Sequence, residues 1–230
     1  MAMTGMFSVS DAWRSAHPGA AAGVLVMRNV TNPSRHPDLD KRIAECEAEL
    51  QARFHASDRT AVRALPSIQA YTAYYKRYKK TYHVQLQLES VALKGKALPR
   101  SPALLGAMVM TELTNLLLTA GHDLDVIHAP VALDVATGRE RYVLLGGQEQ
   151  ALQAGDMMMA DGQGVISSVL YGPDQRTRLR PETRQVFFAV YAPPGIGELA
   201  VARHLEDLRT AVLLFAPDAQ VRALDVHGSR

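Results

Sequence analysis

The periodicity of the apolar residues changes near Asp125. Upstream, apolar side chains recur at three- and four-residue steps; downstream they sit in short runs broken by turn-forming residues. A helical first half followed by a strand-rich second half points to an α+β fold, with N-terminal helices and a strand packed on a mostly antiparallel β module. In the helical half, Leu39, Ile43, Cys46 and Leu50 share one face of a helix running from Pro37 to Phe54, with Pro37 and Asp38 at its start. A second run, "SIQAYTAYYKRYKK", sets Ile68, Tyr71, Tyr75 and Tyr78 on one face behind Ser67, which the spacing makes the N-cap. That tyrosine stripe reads as packing. Ahead of both helices, "AAAGVLVMRNV" at residues 20–30 has the small and β-branched composition of a buried strand.

A third helix begins at Pro102 within "PALLGAMVMTELTNLLLTAG". This apolar segment has the length of a membrane span, but Thr111, Glu112, Thr114, Asn115 and Thr119 interrupt it, so a buried helix is expected and no membrane partner. Thr111, Asn115 and Thr119 follow at four-residue steps and form a polar seam, expected to face a pocket or buried loop backbone. The strands expected downstream are "DVIH", "PVALDVA", "RYVLL", "DMMMA", "GVISSVLY" and "VFFAVYA"; a closing helix over 197–214 and a loosely held tail, "DVHGSR", complete the chain.

Several function classes lose support. No P-loop, no G-x-G-x-x-G after a strand, no H-E-x-x-H and no G-x-S-x-G is present, and no cofactor is expected. Cys46 is the single cysteine, which rules out an intrachain disulfide and a thiolate zinc cage and fits a reducing, cytoplasmic setting. The first residues, "MAMTGMFSVSDAW", lack the basic and apolar regions of a secretory signal. "HDLDVIH" gathers His122, Asp123, Asp125 and His128, which are acceptable metal ligands, but an Asp-rich turn before a strand reads as backbone capping, and no metal is assigned. Net charge is only +2, so an electrostatic partner would need a local patch. Two basic pieces offer one: "KRYKK" with Lys76, Arg77, Lys79 and Lys80, and "KGKALPR" with Lys94, Lys96 and Arg100. Lysine and arginine beside tyrosine is the chemistry of an RNA surface, and also that of an ordinary solvated helix face.

Two loops carry the remaining chemistry. In "YVLLGGQEQAL", a strand-like run ends in Gly146 and Gly147 and then presents Glu149; the glycines form either a hairpin turn or the floor of a ligand pocket. In "YGPDQRTRLRPETRQVFF", Tyr171, Asp174, Arg176 and Thr177 lie between two apolar strands, and Arg176 is suited to a phosphate or carboxylate.

Taken in order, "AYTAYYKRYKK", "LKGKALPRSP", "TAGHDLDVI", "VLLGGQEQAL", "DMMMADGQGVISS" and "RPETRQVFF" resemble the tRNA-editing module, the B-three/B-four domain, of the phenylalanyl-tRNA synthetase β subunit, and more closely its free-standing relatives. The resemblance spans about residues 67–194. It implies an editing-type core there within a single domain of residues 1–230, an N-terminal α/β extension over 1–66, and a C-terminal helix and tail over 195–230. It further implies a tRNA or aminoacyl-tRNA partner and a stand-alone deacylase contributing to translation fidelity. The alternative is a non-catalytic module that binds an RNA end, a nucleoside or an amino acid. On this resemblance Glu149 is the catalytic candidate; Gly146, Gly147, Asn115, Tyr171, Arg176 and Thr177 are substrate-binding candidates; and the two basic pieces position RNA. Two departures stand out. Ala120 occupies the place of the family's pocket histidine, with His122 two residues on, and Gly146 replaces the usual aspartate. Glu149, Gly146, Gly147 and Tyr171 are expected to line one concavity.

Overall fold

The computed structural model describes residues 5–55 and 58–229. In chain order the elements are β1 (Phe7–Val9), α1 (Asp11–Ala16), β2 (Ala21–Arg28), α2 (Pro37–Phe54), α3 (Arg59–Arg63), α4 (Pro66–Lys76), α5 (His83–Leu88), α6 (Ala103–Asn115), β3 (Leu118–Asp123), β4 (Val131–Val135), β5 (Arg141–Val143), β6 (Glu149–Ala151), β7 (Met157–Asp161), β8 (Gly164–Ser168), β9 (Gly172–Pro173), β10 (Gln185–Ala192), α7 (Glu198–Leu213) and β11 (Gln220–Gly228). A π-helical turn, Glu89–Leu93, extends α5, and a 3-10 turn, Leu124–Val126, follows β3. The fold is α+β. No helix among the described residues is long and apolar enough to cross a membrane.

Two sheets form the centre. One has strand order β11-β2-β10-β3, antiparallel throughout, and the other has order β1-β4-β7-β8-β9, antiparallel except for the β1–β4 pair. Helices α6 and α7 cover the outer face of the first sheet, and α2 packs on α6. Central strands covered on both faces have no polar side to display, so β2 and β10 are near-continuous apolar runs and not alternating ones. Along β10 the two faces separate cleanly. Tyr191 reaches Ser167 of β8, whereas Phe188 lies beside Met108 of α6 at the backbone of Gly121.

Helix α2 has the expected bounds, and Leu39, Ile43, Cys46 and Leu50 are all buried, joined by Phe54. The stripe on α4 is buried at Ile68, Tyr71 and Tyr75, and Tyr74 joins it. Its hydroxyls fasten the helix to the sheets. Tyr74 donates to Asp156 Oδ1 at 2.6 Å and accepts from Met157 N at 2.7 Å, Tyr75 donates to Val169 O at 2.6 Å, and Tyr71 donates to Tyr191 O. Ser67, however, is not the cap: Leu65 stands there without a side-chain bond and Pro66 opens the helix, its fixed φ suiting the first turn.

Three expectations fail for physical reasons. Helix α6 stops at Asn115 because Leu116 adopts a left-handed conformation, φ 58°, so Thr119 belongs to β3 and the polar seam does not continue along one helix. "DVIH" is no strand: Asp123 accepts from Asp125 N at 3.1 Å and caps a 3-10 turn. The tail is not loose, since Gln220–Gly228 pairs with β2 as an edge strand and Ser229 Oγ accepts from Ala20 N at 2.9 Å.

Candidate functional site

The segment 172–180 stitches the β5–β6 hairpin to both sheets. Asp174 N donates to Ile166 O of β8 at 2.7 Å, Gln175 N to Val143 O of β5 at 2.8 Å, and Asp123 N of β3 to Thr177 O at 2.7 Å. Its side chains lock this course. Arg176 forks onto Asp161, Nη2 to Oδ1 at 2.8 Å and Nη1 to Oδ2 at 3.0 Å, and donates to Val126 O at 2.9 Å. Burial acts to raise the Asp161 carboxyl, but hydrogen bonds from Arg176, His128 N and Gln163 N outweigh it and hold the group below the usual carboxylate range. Arg176 is therefore held by internal partners, while its partly exposed side chain still borders a basic cleft.

Behind this segment lies a buried polar chain. His122 is fully buried; its Nδ1 lies 2.7 Å from Thr177 Oγ1 and its Nε2 3.2 Å from Ser167 Oγ, which is 2.6 Å from Tyr191 Oη. Because Thr177 donates onward to Asp174, it accepts from His122 Nδ1–H, and Nε2 accepts from Ser167. Burial first, and the Arg176 field second, push His122 down to about 3, so the ring is neutral at pH 7. Thr177 and Asp174 are likewise buried. These groups build the wall, and Asp174 borders the basic cleft.

Two clefts open on either side of the hairpin. The first, about 270 Å³, is mostly apolar: Leu105 and Met108 of α6, Gly121 of β3, Leu145, Pro173 and Leu179 line it, and Arg178 stands at its edge. Gly121 sets the depth, because a Cβ there would come within 2.9 Å of Leu179 Cδ1 and 3.2 Å of Met108 Sδ. The second cleft, about 320 Å³, is basic, with Arg141, Arg176 and Arg178 around Tyr142, Val143 and Gln175. Arg178 belongs to both. Its guanidinium donates to Gln175 O at 2.8 Å and, among the described residues, has no carboxylate in ion-pair range. Leu145 and Val143, 51% and 41% exposed, present unusual apolar surface on the same hairpin.

Gly146, Gly147, Glu149 and Tyr171, expected in one concavity, line neither of these two clefts. Gly146 and Gly147 make the hairpin tip, where Gly147 N donates to Leu144 O at 2.8 Å and Gly147 takes φ 83°, so its amide is spent within the turn. Glu149 is exposed on β6, opposite Val143, with its carboxylate 3.5 Å from Arg141. Tyr171 lies outside both clefts, packed against the cluster that holds Tyr142, with the Lys80 ammonium 4.4 Å above its ring. Asn115 is remote from the hairpin: it donates to Asp207 Oδ2 at 2.9 Å and sits 3.4 Å from His204 Nδ1, while Thr119 Oγ1 lies 2.7 Å from His204 Nε2. Thr111 bonds back to Ala107 O.

The basic pieces also separate. The helical residues 83–93 place about 16 Å of rise between Lys80 and Lys94. Lys94 and Lys96 are exposed on a loop, but Arg100 is bound to Glu47 Oε2 at 2.7 Å, which fastens that loop to α2. Lys76, Arg77 and Lys79 are exposed at the end of α4, and the Arg77 guanidinium stacks over Tyr74 and Tyr78. Arg178, Leu145 and Gly121 escaped the sequence reading. The legible signal for Leu145 was an apolar residue directly before a two-glycine turn, on a strand whose inward position was already filled by Tyr142.

Comparison with known proteins places this geometry in context. Residues 105–207 match the B3/4 domain family model, a span that includes the basic cleft and all of the apolar cleft's lining but Pro102. The phenylalanine-tRNA ligase beta subunit of Mycoplasma pneumoniae is 38% identical over 69 residues, covering 30% of this chain and 9% of that one. The corresponding subunit of Mycoplasma genitalium is 33% identical over 69 residues, with the same coverage of 30% and 9%. The match thus takes in less than a tenth of those relatives' length. An N-terminal fragment of the phenylalanyl-tRNA synthetase beta subunit from Pyrococcus horikoshii aligns with a TM-score of 0.48 at 12% identity, over 94% of this chain and 50% of that one.

Proposed function

We propose that this protein, which is similar over residues 105–207 to the B3/4 domain and over 69 residues to phenylalanine-tRNA ligase beta subunits, binds the aminoacylated 3′ end of a tRNA across the β5–β6 hairpin. The observation that carries this reading is the pair of clefts sharing Arg178, one apolar and one basic. An aminoacyl-nucleotide has the same division: an apolar side chain at one end and a ribose-phosphate at the other. The apolar cleft suits the amino-acid side chain, and Arg178 with Arg141 suits the phosphate. Binding, and not hydrolysis, is the better-supported half. Glu149 faces solvent beside Arg141, the Gly147 amide is used by the turn, His122 is buried and neutral, and Asp174, the carboxylate that lines the basic cleft, is engaged by Thr177 and Arg176.

The test uses a 3′-phenylalanylamino-adenosine nucleotide, which lacks an ester to hydrolyse, titrated calorimetrically against the full chain. Arg178→Ala and Gly121→Ala are each expected to weaken binding about tenfold, the first by removing one charge-assisted contact worth roughly 1.5–3 kcal/mol and the second by displacing Leu179 and Met108 into the cleft. Unchanged affinity in both variants removes the hairpin from the site. In parallel, wild type and Glu149→Ala are given a panel of mischarged tRNAs. Amino-acid release by the wild type that Glu149→Ala abolishes would replace the binding reading with deacylation.

A further inference from the structure

A larger cleft lies away from the hairpin, outside the B3/4-matched residues. It measures about 510 Å³ between α3, α4 and α5 and is lined by Arg63, Lys76, Lys80, Gln69, Thr72 and Gln85, among others. No lining residue is acidic. Among the described residues, none of the three cations is in ion-pair range of a carboxylate. The nearest acid on α5's continuation, Glu89, is already engaged by Arg59 at 3.1 Å and by Gln85 Nε2 at 2.9 Å. Three like charges converging on one concavity repel one another unless an anion joins them. The Gln69 amide and the Thr72 hydroxyl add hydrogen-bonding capacity suited to phosphate or ribose oxygens.

This cleft is not isolated from the hairpin. Lys80 lines it and also caps the Tyr171 ring at 4.4 Å. Tyr171 packs on the cluster containing Tyr142, which lines the Arg178 cleft, and Tyr142 Oη donates to Gly172 O at 2.8 Å. A basic and aromatic track therefore runs Arg178, Tyr142, Tyr171, Lys80, Lys76, Arg63. Tyr171 offers a partly exposed ring and Lys80, Lys76 and Arg63 offer three cations, groups suited to a base and to the phosphates of a single-stranded nucleic acid, while buried Tyr142 links the two regions by packing.

We propose that the Arg63–Lys76–Lys80 cleft binds the phosphodiester backbone of the RNA strand whose 3′ end occupies the hairpin clefts. This rests on the tRNA-end reading for the identity of the strand, but the cleft's own chemistry requires only a polyanion. It assigns to α3 and α4 a role that the B3/4-matched region does not contain.

The experiment measures binding of the full chain to a labelled single-stranded RNA dodecamer over a series of salt concentrations. The variants are Arg63→Ala/Lys76→Ala/Lys80→Ala and the charge-conserving Arg63→Lys/Lys76→Arg/Lys80→Arg. A single-strand phosphate contact contributes a salt slope of about 0.7, so three lost contacts flatten the slope by about 2 and weaken binding more than tenfold at low salt. The charge-conserving variant keeps the slope, and a distant charge control, Lys41→Ala/Arg222→Ala, leaves it unchanged. Identical slopes for wild type and the triple alanine variant overturn the proposal. Polyglutamate displacing the RNA at equal charge also overturns it, because the cleft would then be assigned to an acidic peptide. The aminoacylamino-adenosine titration is read separately: if it fails while the RNA slope still depends on the triple variant, the hairpin reading falls and the backbone cleft stands.

Discussion

Glu112 is a carboxyl group inside an apolar helix, and replacing it with glutamine tests how the strand bearing Gly121 is held. The residue is buried in α6 and accepts from Thr119 N at 2.9 Å, tying the start of β3 to the helix. Burial raises its carboxyl from 4.5 to about 8, the hydrogen bond from Thr119 acting in the opposite direction. Glu112 is therefore predominantly protonated in the folded state at neutral pH. An acid whose folded value lies above its unfolded value stabilises the fold fully only below the unfolded value. Stability then declines as pH rises through the interval and levels off above the folded value. Each unit of difference corresponds to about 1.4 kcal/mol, so between pH 5 and pH 8 the wild type loses about 3 to 4 kcal/mol through this group. Glu112→Gln keeps an acceptor for Thr119 N and removes the titration. Urea unfolding of both proteins at several pH values isolates Glu112, because all other groups cancel in the difference. The variant is expected to gain on the wild type progressively from pH 5 to pH 8. A difference that stays flat over that range refutes the reasoning, since it would mean that Glu112 is solvated or carries a compensating charge when folded.

Asp161→Asn breaks the fork from Arg176 around a carboxylate with no exposed side-chain surface, but Arg176 itself is 31% exposed and regains water; a loss of about 2–4 kcal/mol in urea unfolding is expected. Because Asp161 is held below the usual carboxylate range, its stabilisation is present at neutral pH and is lost on acidification, so the variant should show a shallower acid decline than the wild type; matching acid profiles would count against the fork. Gly23→Ala places a Cβ 2.5 Å from Val201 Cγ1 and 3.0 Å from Leu205 Cδ1 at the β2–α7 contact, and overpacking of this kind lowers stability by about 1–3 kcal/mol. An unchanged thermal midpoint would show that α7 can retreat without loss.

What was legible in the sequence depended on how many faces of an element are covered. Helix α2 lies between core and solvent, so its apolar residues separate from its charges and both bounds could be read. Strands β2 and β10 are covered on both sides and announce themselves as unbroken apolar runs. Strand β11 is an edge strand with much of its surface exposed, and Arg222 and Asp225 within it disguise a nine-residue strand as a tail. Strand β3 was hidden for the opposite reason. It follows α6 without a glycine or proline to mark the break, the reversal being made by Leu116 in a left-handed conformation that no local residue type signals. The site divides similarly. The hairpin turn at Gly146 and Gly147 is a local feature and was readable, whereas the clefts take Gly121 from β3, Arg178 from the stitching segment and Met108 from α6, residues joined only by tertiary pairing.

The period of a β-strand explains why a histidine so near the resembled position is turned away from the apolar cleft. Ala120 and His122 are two residues apart on β3 and so share a face, and that face looks into the space between the two sheets. Gly121, between them, looks the other way, into the apolar cleft. Moving the register by one residue would exchange these roles, presenting the imidazole to the cleft and burying the glycine. The register is fixed against such a slip, because Phe187 pairs with His122, Phe188 with Gly121, and Ser167 and Thr177 satisfy both ring nitrogens on the inner side. The glycine keeps the cleft open, and the histidine holds the wall behind it. The imidazole nearest the apolar cleft is thus locked in structural contacts one strand-face away from it.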